Sequence, residues 1–257
     1  MADDQLERFR AFSKANDNSV TAPQRSEFEG ALLVNQVIHT DVDLDSVRSA
    51  MADLLTGLDD DAAPWLALAH HGFGGNQDDY TALANSAMDQ VLARRTGIPI
   101  SLGAVLIEVA RHRGYAASGI NHPGHFLVRV DDDLVDPFSM APVVLESAER
   151  ARAKALPAIT PVEFVLRMLN NLKYTHSRAQ HWDLALNMVD YQLALAPEHP
   201  QLLCEKGEFW SQLGAPGAAA DAYRQALAVA GSAPPELTAK LQQRLAQLGN
   251  GTSEVVH

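Results

Sequence analysis

The sequence predicts an α+β domain followed by an all-α repeat region, and three observations carry that reading. Apolar residues recur at helical spacing from Ser26 to His112, short strand-like runs follow between Ala116 and Val135, and a 34-residue internal repeat occupies the C-terminal part. At 257 residues with 47% apolar side chains, the chain is long enough to bury one large core or two modest ones.

The first helices are read from apolar stripes. Phe28, Leu32, Leu33 and Val37 form one, and Leu44, Val47, Met51, Leu54 and Leu55 form the next. The second should start after Asp41 and Asp43, whose carboxylates can accept from exposed amides, and stop near Gly57. Pro64 suits the first turn of a third helix running to His71. HGFGGNQDDY, residues 71–80, then reads as a tight irregular loop. A helix from Asn85 to Arg95 follows, with Ser86 as its expected cap and Met88, Val91 and Leu92 on its apolar face. Gly97 and Pro99 break it, and SLGAVLIEVARH, residues 101–112, forms a long apolar helix that Gly114 ends.

Beyond Gly114 the period changes. Ala116–Ile120 and Phe126–Val130 are short, and Asp131–Asp133 turn the chain into Leu134 and Val135, so two or three antiparallel strands are expected before Met140. From about Pro161 the helical period returns. Ala185 repeats at Ala219, Val189 at Tyr223, Leu193 at Leu227 and Leu169 at Leu203, a spacing that matches tetratricopeptide hairpins. Gly207 sits where such a hairpin wants a small residue, and Pro197 at the break between hairpins; Lys173, one period before Gly207, departs from the pattern. Two hairpins are fewer than usually stand by themselves, so they are expected to pack on the first domain. The expected division is an N-terminal segment 1–23, the α+β domain 24–140, a connecting segment 141–159, repeats 160–247 and a disordered tail 248–257.

Composition narrows the function. A net charge of −12, from 20 basic and 32 acidic side chains, argues against sequence-independent nucleic-acid binding, which needs a positive surface facing the phosphates. A single cysteine, Cys204, leaves no intramolecular disulfide and no cysteine zinc cluster. The start MADDQLERFRAF lacks the basic residues and apolar run of a signal peptide, and no apolar run reaches the length of a membrane helix. These features predict a soluble, cytoplasmic protein with no cofactor and no nucleic-acid or membrane partner.

The densest functional signal lies in GGNQDDY (74–80), NSAMDQVLARRTGIPISL (85–102), PGHFLVRV (123–130) and VDPF (135–138). In this order, and together with the 34-residue repeat, these runs resemble the bacterial SirB-type proteins, which join a transglutaminase-like core, of papain-like cysteine-protease type, to tetratricopeptide repeats. In transglutaminase-like enzymes a cysteine at the start of a buried helix is the nucleophile, a histidine on a following strand its base, and an aspartate orients the histidine. The resemblance puts His125 at the histidine position and Asp136 at the aspartate position. The cysteine position falls at about Pro99, with Ser101 two residues on, and Cys204 lies in the repeats. The family's thiol nucleophile is therefore missing.

Three readings of the remnant triad Ser101, His125 and Asp136 follow. His125 and Asp136 could be a structural hydrogen-bonded pair. Ser101 could replace the thiol in a serine hydrolase or acyl transferase, or could instead cap its helix. The cleft could also bind a peptide or small ligand without transforming it, with Arg94 and Arg95 gripping a carboxylate and Asn76 nearby; ion-paired or solvated arginines at a helix end are the structural alternative. The reading carried forward is a degenerate, non-catalytic core acting in protein or peptide binding or regulation, with partners reached through the repeats. His70, His71, His122 and His125 are not expected to hold a metal, since neighbouring helical histidines point apart. Asn76, Asp79, Tyr80 and Asn85 read as loop-forming residues. Trp182, Phe209, Trp210 and Tyr223 read as repeat core, or as the wall of a short peptide groove.

Overall fold

A computed structural model describes residues 2–14, 25–58, 61–231 and 234–251. Its contacts separate two units, residues 15–168 and residues 1–14 with 169–257. The division falls further along the chain than 160, and the first helix joins the C-terminal unit.

That helix, α1 (Ala2–Lys14), has Asp3 and Asp4 in its first turn and Lys14 in its last, each opposing the helix dipole. Phe9 is buried against the Tyr191 ring at 4.9 Å, and the Tyr191 hydroxyl donates to Gln5 Oε1 at 2.9 Å. Local pattern marks this as a helix end to end, but only a distant tyrosine says where it packs.

In the first unit, α2 (Glu27–Ile38) is capped by Ser26, whose Oγ accepts from Glu29 N. The cap of α3 (Leu44–Gly57) is Asp43, accepting from Asp45 N, as the sequence predicts. Then come α4 (Pro64–His70), β1 (Gly74–Gly75), a 3-10 turn (Leu83–Asn85), α5 (Met88–Arg94) and β2 (Thr96–Gly97). Helix α5 begins later than Asn85, and Ser86 does not cap it. Asn35 of α2 does that work, its Oδ1 accepting from Asp89 N at 2.7 Å.

Helix α6 (Pro99–His112) is the centre of the unit: Ile100 to Ile107, Val109 and Ala110 are all buried. Its C-terminal end is tied outward by Arg111, which donates to the buried carboxylate of Glu27 and to Ala117 O. Strands β3 (Ala117–His122), β4 (His125–Val130), β5 (Asp133–Asp136) and β6 (Ala141–Pro142) form one antiparallel sheet in sequential order. Phe126 and Val128 face α6, where Gly103 makes room for the Phe126 ring; a Cβ there would lie 2.5 Å from it. The opposite face buries Ile120, Leu127 and Leu134 with Ala153 of α7 (Ser147–Ala155). The sheet is thus covered on both faces, and its fourth strand and α7 extend the domain past Met140.

Helix α8 (Pro161–Arg178) begins in this unit, with Phe164 edge-on to Phe126 at 5.7 Å. Its later turns belong to the second unit with α9 (Trp182–Leu195), α10 (Pro200–Gln212), α11 (Pro216–Val229) and α12 (Pro235–Gly251). The repeat is structural: Ala185 and Ala219 are both fully buried, as are Val189 and nearly so Tyr223. Gly207 lets α11 approach, since a Cβ would sit 2.3 Å from the Tyr223 ring. Lys173, where a small residue was due, is buried and donates to Gln192 Oε1 and Glu205 Oε2 across the bundle. Leu237 and Leu241 of α12 close the far end of this core. Two hairpins are therefore flanked by α1 and α12 within their own unit. The predicted disordered tail lies outside the described residues from 252 onward, and residues 248–251 are helical. Among the described residues no helix is long and apolar enough to cross a membrane.

Candidate functional site

Three of the four sequence runs that carry the functional signal converge at the start of α6. Asn76 N donates to Gly97 O, and Gly75 pairs with Gly97 in the β1–β2 ladder. Gly75 N donates to Phe138 O, and a Cβ on Gly75 would lie 2.2 Å from the Phe138 ring. So the glycine-rich loop, the TGIP segment and the VDPF turn form one backbone-linked cluster, and the glycines let the Phe138 ring lie on the loop.

Ser101 sits at this junction with 0% exposure. Its Oγ accepts from Ile98 N at 3.1 Å, the reciprocal half of a capping box, and donates to Asn85 O at 2.5 Å, with Ile98 O also in reach at 3.0 Å. Gly97 is required beside it, because a Cβ would approach Ser101 Oγ to 2.6 Å. The hydroxyl is spent on main-chain partners.

Asn85, also 0% exposed, organises the loop. Its Nδ2 donates to Asp79 O and Tyr80 O, while its Oδ1 accepts from Asn76 Nδ2 at 3.0 Å and Arg94 Nη2 at 2.8 Å. Asn76 Oδ1 in turn accepts from the amides of Asp78 and Asp79. Asn76 and Arg94 are thereby brought together, but as props of the loop. Arg95 goes elsewhere. It ends α5 in the left-handed region (φ 57°) and donates to His71 O at 2.7 Å. The two arginines diverge and do not form the pincer the sequence suggested. Beside Arg95, a cavity of about 620 Å³ opens between α3 and α5, lined by Val47, Leu54, Phe73 and Leu92 and rimmed by Asp53; it lies away from the start of α6.

His125 opens β4 opposite His122, their rings 6.2 Å apart, and is exposed. Asp136 ends β5, its Oδ1 accepting from Phe138 N at 2.9 Å and its Oδ2 from Ser139 Oγ at 3.1 Å. The Asp136 carboxylate therefore shapes the VDPF turn. No hydrogen bond joins Ser101, His125 and Asp136 to one another. Strand alternation explains why: Phe126 faces α6, so its neighbour His125 belongs to the Leu127 face, as Asp136 belongs to the Leu134 face. The geometry does not bring Ser101, His125 and Asp136 into line as nucleophile, base and orienter.

Cys204 is fully buried in the repeat core, and burial pushes its thiol above the ordinary cysteine range, which makes a poor nucleophile. Among the described residues no three His, Cys, Asp or Glu side chains gather as a metal site would require. Trp182 stacks on Phe209 at 6.2 Å beside a cavity of about 460 Å³ in the helical unit, which Tyr223 also lines.

One residue of this region gave no sequence signal. Arg167 lies on α8 with its Cζ 5.4 Å from the Phe126 ring centre, and Nη1 donates to Asn121 Oδ1 at 2.5 Å. Its only mark in the sequence is a charge set between the buried Phe164 and Met168.

Residues 65–172 match the transglutaminase-like superfamily, and residues 172–244 match the tetratricopeptide repeat. A UPF0162 protein of Xylella fastidiosa is 37% identical over 162 residues, 56% of this chain and 58% of that protein. F-box only protein 21 of Homo sapiens is 32% identical over 163 residues, 55% of this chain and 26% of that protein. A UPF0162 protein of Pseudomonas aeruginosa is 31% identical over 194 residues, 70% of this chain and 71% of that protein. The chain belongs to the UPF0162 family. No solved structure matches it. The chain spans 58% of the length of the Xylella relative, and the UPF0162 name itself carries no activity; the two-part architecture rests on the two family matches. Every site residue predicted from the sequence, and Arg167, falls inside the transglutaminase-like match of this UPF0162 chain. Tetratricopeptide repeats commonly mediate protein interactions, the coarse role its second part supports.

Proposed function

We propose that this chain is a SirB-type, cytoplasmic binding or regulatory protein. Its transglutaminase-like core is degenerate and non-catalytic, and a protein or peptide partner is engaged with help from the repeats. The observation that carries the reading is the start of α6: where the resemblance puts the family's cysteine, at about Pro99, no thiol stands, and Ser101 two residues on is fully buried and committed to Asn85 O and Ile98. A nucleophile needs a path to substrate and a base in reach of its proton, and Ser101 has a carbonyl there instead. Asp136 serving its own turn, and His125 lying on the other face of the sheet, support the same reading. Family likeness lends fold more securely than chemistry, because chemistry belongs to the site.

Turnover tests it. Purified protein offered amide and ester substrates is expected to release no product above the level of a His125→Ala variant. Hydrolysis that disappears in Ser101→Ala and His125→Ala together would establish the serine hydrolase instead.

A further inference from the structure

We propose that the surface beside the Phe126 ring binds a carboxylate through the free edge of the Arg167 guanidinium. This deepens the binding role proposed above and names the chemistry of what is bound.

Arg167 is half-buried, and it has no carboxylate within ion-pair distance among the described residues. Arg48, Arg111 and Arg244 each have a carboxylate, and Arg94, Arg95 and Arg129 donate to main-chain carbonyls, whereas Arg167 donates to neither kind of partner among the described residues. Burial accordingly makes its proton easier to lose than an ordinary arginine's, with only the nearby Tyr80 phenol opposing. A charge drawn from water without a partner is costly, and an arriving anion would relieve that cost.

The group is also held in a binding posture. The Phe126 ring lies under the guanidinium carbon, itself fixed by Phe164 and by the Gly103 contact. Asn121 Oδ1 takes the Nη1 end. The remaining Nε and Nη2 edge presents two parallel N–H donors, the fork a carboxylate accepts side-on, and no described residue accepts from it. Tyr80, about half exposed with its ring 6.2 Å from Phe138, has its phenol pushed up by burial, which the Arg167 charge opposes. A planar, two-oxygen acceptor fits a flat fork laid over the Phe126 ring. The carboxylate can come from an acidic side chain or from the end of a peptide.

The test is a titration of the full chain followed by the Arg167 Nε–Hε resonance in ¹H–¹⁵N spectra, with three probes: N-acetylglycine, N-acetylglutamate bearing an amidated α-carboxyl, and inorganic phosphate. Saturable shifts at Arg167 and Asn121 with either carboxylate are expected, and the probe that binds tighter identifies the source. Arg167→Gln should weaken binding about tenfold or more, with Arg167→Lys between the two. An unaltered melting curve for Arg167→Lys guards against a folding artefact, and the wild-type resonance does not depend on any variant. Phosphate shifting the resonance while both carboxylates fail, no response to any probe, or carboxylate binding that Arg167→Gln leaves intact would overturn the assignment. Those results would leave the non-catalytic reading standing, since that falls only to turnover or covalent labelling.

Discussion

Replacing Ser101 with alanine separates a structural serine from a catalytic one, because the two roles predict opposite effects on stability. The hydroxyl makes two buried main-chain hydrogen bonds, accepting from Ile98 N at 3.1 Å and donating to Asn85 O at 2.5 Å. Each contributes about 0.5–1.5 kcal/mol net, and an Ile98 amide left buried without an acceptor adds about 1–3 kcal/mol. Alanine recovers only a few tenths of a kcal/mol through helix propensity. The sum is a loss of about 1.5–5.5 kcal/mol, or about 3–20 °C in the melting temperature of a unit this size. Differential scanning calorimetry measures it, with hydrogen exchange in α6 assigning the transition to the first unit. A nucleophile held for chemistry is commonly neutral or stabilising to remove. A melting temperature within about 1 °C of wild type, with α6 protection intact, would therefore refute the structural role.

Two further outcomes are expected in the helical unit. Gly207→Ala forces a methyl to within 2.3 Å of the buried Tyr223 ring, and overpacking of about 1–3 kcal/mol outweighs a helix-propensity gain of up to about 1 kcal/mol. Chemical denaturation should show net destabilisation of up to about 2 kcal/mol, while Gly217→Ala, with open space around it, should show none. His176 has its proton affinity lowered by burial first and by His181 second, so the unfolded chain protonates more readily than the folded one. Its contribution is complete above the ordinary histidine value of 6.5 and is lost as pH falls below it. Urea midpoints of wild type should fall more steeply than those of His176→Gln between about pH 7.5 and about pH 5, and parallel curves would remove His176 from the account.

What the sequence revealed and what it hid follow one physical line. Asp43 capping α3 is local, and local chemistry was enough to predict it. Adjacency points to Ser86 as the cap of α5, whereas the acceptor is Asn35, brought in by the packing of α2. Gly207 and the Ala185–Ala219 pair were readable because the repeat imposes a period. Lys173 broke the period and gave no hint that Gln192 and Glu205 would receive it. At the site, His125 and Asp136 were placed on β4 and β5 as a family resemblance implies, but strand alternation puts both on the face away from α6, a register property that motif matching does not see. Arg94 and Arg95 looked like a pair because they are neighbours in sequence. The left-handed turn at Arg95 sends one to Asn85 and the other to His71. Arg167 was missed because its meaning depends on Asn121 and Phe126, which only the folded sheet supplies.

The most direct test of a non-catalytic core is intact mass spectrometry of the folded chain after exposure to a fluorophosphonate probe. An unmodified mass is predicted, because Ser101 is sealed and has a carbonyl rather than an imidazole on its proton. A one-to-one adduct that maps to Ser101 and vanishes in Ser101→Ala would contradict it.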